Sequence, residues 1–185
     1  ARAAGLPIVY GAELTLTSNA CGKFVPGSSA PGWGLAPGAD EPGIRLPILA
    51  ASPSGYANLV GAMSDRALSE PGQRNPRHSL VDLSEAGGDL VVLTGGRRGP
   101  LMRALRAGGM ATARRVLDGL VDAFGRDHVL VEWQASRGDE DEVADTLADL
   151  AHACGTRLVA TTGARMSSPS QQALGDILAA TRLGA

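Results

Sequence analysis

The sequence predicts an α/β fold in which parallel strands alternate with helices, and three observations carry that prediction. Five short, β-branched apolar runs recur along the chain: Leu6–Leu16, Ile44–Ala50, Asp89–Thr94, His128–Trp133 and Arg157–Thr162. Stretches of helical period lie between them. The 185 residues sit near the upper end of one domain, long enough to bury a core without metal or disulfide staples. The apolar runs are near-continuous rather than alternating, which suits parallel strands buried on both faces and joined by right-handed crossovers.

The helices follow from spacing. Tyr56, Leu59, Val60 and Met63 share one face, as do Val116, Leu117, Leu120, Val121 and Phe124. Val143, Leu147, Leu150, Ala151 and Cys154 make a third stripe, and Leu174, Ile177 and Leu178 a fourth. Ser52-Pro53 and Ser168-Pro169 each set a capping hydroxyl before a proline at the first helical position, with Gln171 placed to complete a capping box with Ser168. Gly155 has the place of a left-handed C-cap. An eight-fold barrel needs ~250 residues, and about five strand–helix units are visible here. Either the sheet is open or the front of a barrel is missing. The start at Ala1, without Met or a helix cap, favours the second reading and an excerpt of a longer chain. Residues 22–43 break the pattern with four Pro-Gly dipeptides and read as a loop insertion, either a surface excursion or a binding loop using Phe24 or Trp33.

Composition narrows the function classes. Apolar residues at 44% and charged residues at 19% exclude a chain disordered throughout, despite 25 glycines and 11 prolines. A net charge of −2 gives no global basic field towards nucleic acid, and no apolar run approaches the ~18 residues of a membrane helix. Cys21 and Cys154 form no CxxC or zinc pattern and read as free thiols in a reducing, cytoplasmic compartment.

Charge is unevenly spread. Arg97, Arg98, Arg103, Arg106, Arg114 and Arg115 occur between Leu90 and Leu117 with no acid among them. Asp139, Glu140, Asp141, Glu142, Asp145 and Asp149 then follow with no base. The first four acids suit a helix N-terminus. The arginines read either as an anion- or partner-binding face or as a solvated face paired with the acidic helix. Thr94-Gly95-Gly96-Arg97-Arg98-Gly99 lies between a strand and a helix, where backbone amides cradle anions, so Gly95, Arg97, Arg98 and Gly99 are candidate anion-binding residues. No nucleotide-binding glycine motif occurs. His78, His128 and His152 lack metal-ligand spacing and read as structural or exposed. Glu13 ends an apolar strand where a carboxylate would face a barrel's catalytic rim, whereas Glu132 is equally explained by a rim salt bridge. Arg137-Gly138-Asp139 is a coincidental adhesion tripeptide.

Several phrases together resemble one family. Gly5-Leu6-Pro7-Ile8-Val9-Tyr10-Gly11-Ala12-Glu13-Leu14 is similar to a segment of the polymerase-and-histidinol-phosphatase (PHP) domain of bacterial C-family DNA polymerases. Leu46-Pro47-Ile48-Leu49-Ala50, running on to Gly55-Tyr56-Ala57-Asn58-Leu59, resembles its next strand and helix. Leu93-Thr94-Gly95-Gly96-Arg97-Arg98-Gly99 resembles its glycine-rich turn, and Phe124-Gly125-Arg126-Asp127-His128-Val129 and Leu158-Val159-Ala160-Thr161-Thr162 follow in order. The resemblance covers nearly the whole chain outside the Pro/Gly insertion and leans towards the error-prone, lesion-bypass branch. It implies that residues 1–185 are a partial, distorted (βα) TIM-like barrel of PHP type, its front strands missing. It implies a parent with DNA-directed DNA polymerase (nucleotidyltransferase) activity, magnesium-dependent and acting in replication and repair. Expected partners are the remainder of that chain, DNA through the parent and other replication or repair proteins, with no membrane.

Departures from the family pattern decide what this piece does. The resemblance implies metal ligands at five positions, and only Glu13 is of ligand type. Arg45, Gly96, and the Gly163 and Arg165 of Gly163-Ala164-Arg165 occupy the other four. A single carboxylate does not hold a multinuclear cluster, and guanidiniums repel divalent ions. The expectation is a non-catalytic scaffold without cofactor, zinc or manganese being required only were the site intact. Arg45 and Arg165 are placed to pair with Glu13. The alternatives are an active metal-dependent phosphoesterase using Glu13, and an unrelated barrel enzyme holding phosphate at Gly95–Gly99.

Overall fold

A computed structural model of the chain describes residues 2–17, 43–69, 72, 76–134, 141–164 and 166–183. Six strands form one sheet: β1 (Gly11–Leu16), β2 (Ile44–Ala50), β3 (Arg77–His78), β4 (Leu90–Leu93), β5 (Val129–Gln134) and β6 (Arg157–Thr161). Their order across the sheet is β3-β1-β2-β4-β5-β6. The helices are α1 (Pro53–Ser69), α2 (Leu80–Glu85), α3 (Pro100–Phe124), α4 (Asp141–Cys154) and α5 (Gln172–Leu183). The mixed α/β class and the partial barrel-like sheet expected of a PHP-type fold are both present.

Strand direction departs from expectation in one place. β4, β5 and β6 are mutually parallel, as is the β1–β3 pair. β2, however, runs antiparallel to both β1 and β4. A continuous apolar run reports burial and not direction, which is why the sequence pattern did not reveal the reversal. Ile44, Leu46 and Ile48 of β2 are buried on one face, while Arg45 and Pro47 point to the other. β1 also starts later than Leu6. Leu6, Val9 and Tyr10 are exposed, although the Tyr10 carbonyl still accepts the Ala50 amide at 2.8 Å. The two-residue β3 was not anticipated, being too short for any periodicity to register.

One core lies between the sheet and helices α1 to α4. It joins Leu14, Leu16, Leu46, Ile48, Val92, Val129 and Val131 from the strands to Leu59, Leu83, Leu101, Leu117, Leu120, Leu147 and Leu150 from the helices. α1 starts as its sequence suggests, with the Gly55 amide donating to Ser52 Oγ at 3.1 Å. α4 ends as expected at Gly155, whose φ of +65° is left-handed. α3 is broken at Gly108 and Gly109, the latter at φ +66°, because adjacent glycines give up helical geometry at little cost.

Three helix expectations are corrected. On α1 only Leu59 of the proposed stripe is buried, and Tyr56 is 48% exposed, stacked edge-on against Tyr10 with ring centroids 5.5 Å apart. Leu174, Ile177 and Leu178 of α5 are exposed, because α5 packs chiefly on the 3-10 turn Pro169–Gln171 that leads into it. The Ser168 capping box does not form. Ser168 Oγ bonds Ser170 Oγ at 2.7 Å, and Gln171 Oε1 instead accepts from the amide and hydroxyl of Ser167. Cys21, Phe24, Trp33 and nearly all of the 22–43 insertion lie outside the described residues, as do the Arg137-Gly138-Asp139 tripeptide, Glu140 and Arg165. No described helix is long and apolar enough to cross a membrane.

Candidate functional site

The face of the sheet turned away from the core gathers polar side chains. Register explains the first two. Glu13 lies opposite Pro47 and Thr15 opposite Arg45, so Glu13 and Arg45 are diagonal neighbours on one face of an antiparallel pair, within reach of long side chains. Arg45 Nε stands 3.7 Å from Glu13 Oε1, forming the expected ion pair. That separation is too long for a hydrogen bond. Arg45 Nε is buried with no hydrogen-bond partner among the described residues. With side chains 30% and 51% exposed, solvent screens the pair, and its contribution to stability is below ~1 kcal/mol.

The glycine-rich turn after β4 is held against β2 by the Arg45 amide, which donates to the Arg98 carbonyl at 3.0 Å. Gly95 adopts φ +74°, and a side chain there would press on the Gly99 and Arg45 backbones. Gly99 N-caps α3 without a side-chain bond. Together Glu13, Arg45, Pro47, Gly95–Gly99, Gln134, Gly163 and Ala164 line an open cavity of about 800 Å³.

Gln134 is the residue that sequence reasoning missed. Its Nε2 donates to Glu132 Oε1 at 2.9 Å, and Thr161 Oγ1 donates to the same oxygen at 2.5 Å. Its amide then lies over both Gly96 and Gly163: a Cβ at Gly96 would fall 2.5 Å from Gln134 Cδ, and one at Gly163 would fall 3.1 Å from Oε1. A signal was available, since Glu132 and Gln134 are two apart on one strand and share a face. Glu132 itself is no rim residue. It is 3% exposed, bonded to neutral donors, and its Oε2 has no partner among the described residues.

Other candidates scatter. His78 is buried in β3, and burial first, then the Arg66 charge, lowers its pKa. His128 Nδ1 is 2.9 Å from the Leu90 carbonyl, and His152 is exposed on α4. Arg114 pairs with Asp118 on its own helix at 3.7 Å and reaches the Ala153 carbonyl, while Arg97, Arg103 and Arg106 each hold an interaction. Cys154 is buried, and desolvation together with its hydrogen bond to Asp118 raises its pKa to about 11.

These residues do not fit a metal cluster. Among the described residues no three His, Cys, Asp or Glu side chains converge as ligands would. The one carboxylate of ligand type in the cavity, Glu13, faces a guanidinium, and a glutamine amide covers two of the positions where the resemblance places ligands.

The α/β sheet of a partial barrel thus carries a polar, glycine-lined cavity on the face turned away from its core. Comparison makes the assignment specific: the PHP domain model matches residues 1–136, and the chain belongs to the PHP domain family. It is 37% identical over 176 residues to the error-prone DNA polymerase of Mycolicibacterium paratuberculosis, covering 94% of this chain. It is 38% identical over 185 residues to the error-prone DNA polymerase of Cutibacterium acnes, covering 98% of this chain. The DNA polymerase III subunit alpha of Escherichia coli K12 is 29% identical over 184 residues, covering 92%. The chain spans about 15% of the length of each of these relatives.

Proposed function

We propose that this chain is a metal-free, non-catalytic PHP module of an error-prone polymerase, with front strands of the barrel contributed by a preceding segment. Its role is that of a scaffold for the rest of the polymerase chain. DNA synthesis, its magnesium ions and the contacts to DNA belong to that remainder, and other replication or repair proteins are further partners. A cytoplasmic setting accords with the free, buried thiol of Cys154. One observation carries the reading: Gln134 and Arg45 occupy the space and the charge that a metal cluster would require. The names of the relatives support the polymerase assignment.

Metal content and activity test the proposal together. The purified chain, incubated with zinc or manganese and desalted, is expected to retain less than a tenth of an equivalent by elemental analysis. It is also expected to hydrolyse p-nitrophenyl phosphate no faster than buffer with the same metals. Stoichiometric metal with turnover that is lost in Glu13→Gln would overturn the proposal in favour of an active phosphoesterase.

A further inference from the structure

We propose that His78 is a proton-operated latch: uncharged, it holds β3 over the Thr15–Leu16 end of β1, and protonated, it releases β3 and opens that edge to another strand. β3 is the outermost strand on its side of the sheet and consists of Arg77 and His78 alone, paired parallel with Thr15 and Leu16. Two further bonds hold it. The Thr17 amide donates to the His78 carbonyl at 2.9 Å, and Arg66 Nε donates to the Arg77 carbonyl at 2.6 Å. So short a ladder has few backbone bonds to keep it in place, and side-chain burial decides whether it stays. That burial falls to His78, which is 4% exposed, whereas Arg77 alternates to solvent.

A neutral imidazole suits this place and an imidazolium does not. The charged groups facing His78 are Arg66 from α1 and Asp82 from α2, while its register partners on β1, Thr15 and Leu16, carry no charge. Burial and the Arg66 guanidinium disfavour the imidazolium, and the Asp82 carboxylate offsets them only in part. Release of β3 returns the imidazole to water and to its ordinary pKa of 6.5. The released strand therefore binds the proton more strongly than the docked one. The latch is closed above 6.5 and loosens as pH falls from there towards the lower docked-state value, by at most about tenfold per pH unit. What it uncovers is a row of unpaired strand amides and carbonyls, a template for pairing with a further strand. The latch lies apart from the polar cavity and owes nothing to the metal-free reading.

Amide hydrogen exchange of the full chain at pH 7.5 and pH 5.5, corrected for the intrinsic rate, tests this. Protection of the Thr17 amide is expected to fall several-fold at the lower pH, up to about tenfold. That of the Thr94 amide, bonded to the Leu130 carbonyl in the middle of the sheet, is expected to hold. His78→Leu, which keeps an apolar side chain in the same place, is expected to give the same Thr17 protection at both pH values. Proton NMR titration of the wild-type imidazole supplies a measurement that needs no variant, with a midpoint expected below 6.5. Asp82→Asn, which removes the one facing anion, is expected to lower that midpoint further. A His78 midpoint at or above 6.5, or an equal loss of Thr17 protection in His78→Leu, overturns the latch.

Discussion

If Gln134 occupies the place of lost ligands, the cost of adding a single methyl group at position 96 must depend on Gln134. Gly96 has a φ that any residue adopts, so Gly96→Ala brings no backbone strain and on its own stabilises by ~0.4–1 kcal/mol through the unfolded state. The new Cβ, however, falls on the Gln134 amide, 2.5 Å from Cδ and 3.2 Å from Nε2. The flexible side chain swings away and loses its 2.9 Å bond to Glu132. A hydrogen bond to a charged group contributes ~1.5–3 kcal/mol, and this half-buried one belongs at the lower end. Gly96→Ala is then expected to destabilise the wild type by ~1 kcal/mol but to stabilise a Gln134→Ala background by ~0.5 kcal/mol, a coupling of ~1.5 kcal/mol. Urea unfolding of the four proteins in the cycle measures it. Equal effects of Gly96→Ala in both backgrounds would refute the reasoning.

Other positions give simpler tests. Asp89 sits at φ +62° and accepts hydrogen bonds from Ser54 and Ser52 at 2.8 Å, which hold its pKa below the ordinary 3.8. The stability it contributes is present above 3.8 and is lost as pH falls through the lower folded-state value. Asp89→Asn, which tolerates the same backbone, is expected to flatten that acid limb in urea midpoints measured from about pH 5 downwards; an unchanged limb contradicts the assignment. Gly55 packs against the Asp89 backbone, so Gly55→Ala is expected to cost ~1–3 kcal/mol in thermal or urea unfolding, because backbone cannot swing aside as Gln134 can. With its pKa raised to about 11, Cys154 in a Cys21→Ser background is expected to resist alkylation at about pH 8 until the protein is unfolded. Rapid labelling of the folded chain would contradict its burial.

What the sequence discloses and what it conceals divide along physical lines. Ile44–Ala50 is a strand end to end because its apolar density leaves no other reading, and Ser52 caps α1 because serine before proline fixes both the dihedral and the acceptor. Glu13 and Arg45 were legible as a pair, since both fall where the resemblance places ligands. The reversal of β2 was hidden because direction leaves no mark on a buried apolar run. The exposed faces of α1 and α5 were hidden for a different reason. Amphipathic period reports that a helix has an apolar side, not that anything described covers it. For Gln134 the two-residue spacing from Glu132 was legible but its meaning is tertiary: a polar residue at a strand end gains its role only once β5 brings it over two glycines from separate loops.

That convergence governs how the site could be rebuilt. Arg45→His alone would place one imidazole diagonal to Glu13, giving two protein ligands on adjacent strands. Zinc takes three or four protein ligands, and the next positions that the resemblance supplies are Gly96 and Gly163, both beneath the Gln134 amide. Arg45→His is therefore expected to take up no more zinc than the wild type in equilibrium dialysis. The same substitution combined with Gly96→His should still fail while Gln134 is intact, because the new side chain must displace an amide anchored on Glu132. Only with Gln134→Ala added is zinc uptake expected to rise. Stoichiometric zinc in Arg45→His by itself would mean that charge alone had kept the metal out, and that the covering amide has no part in it.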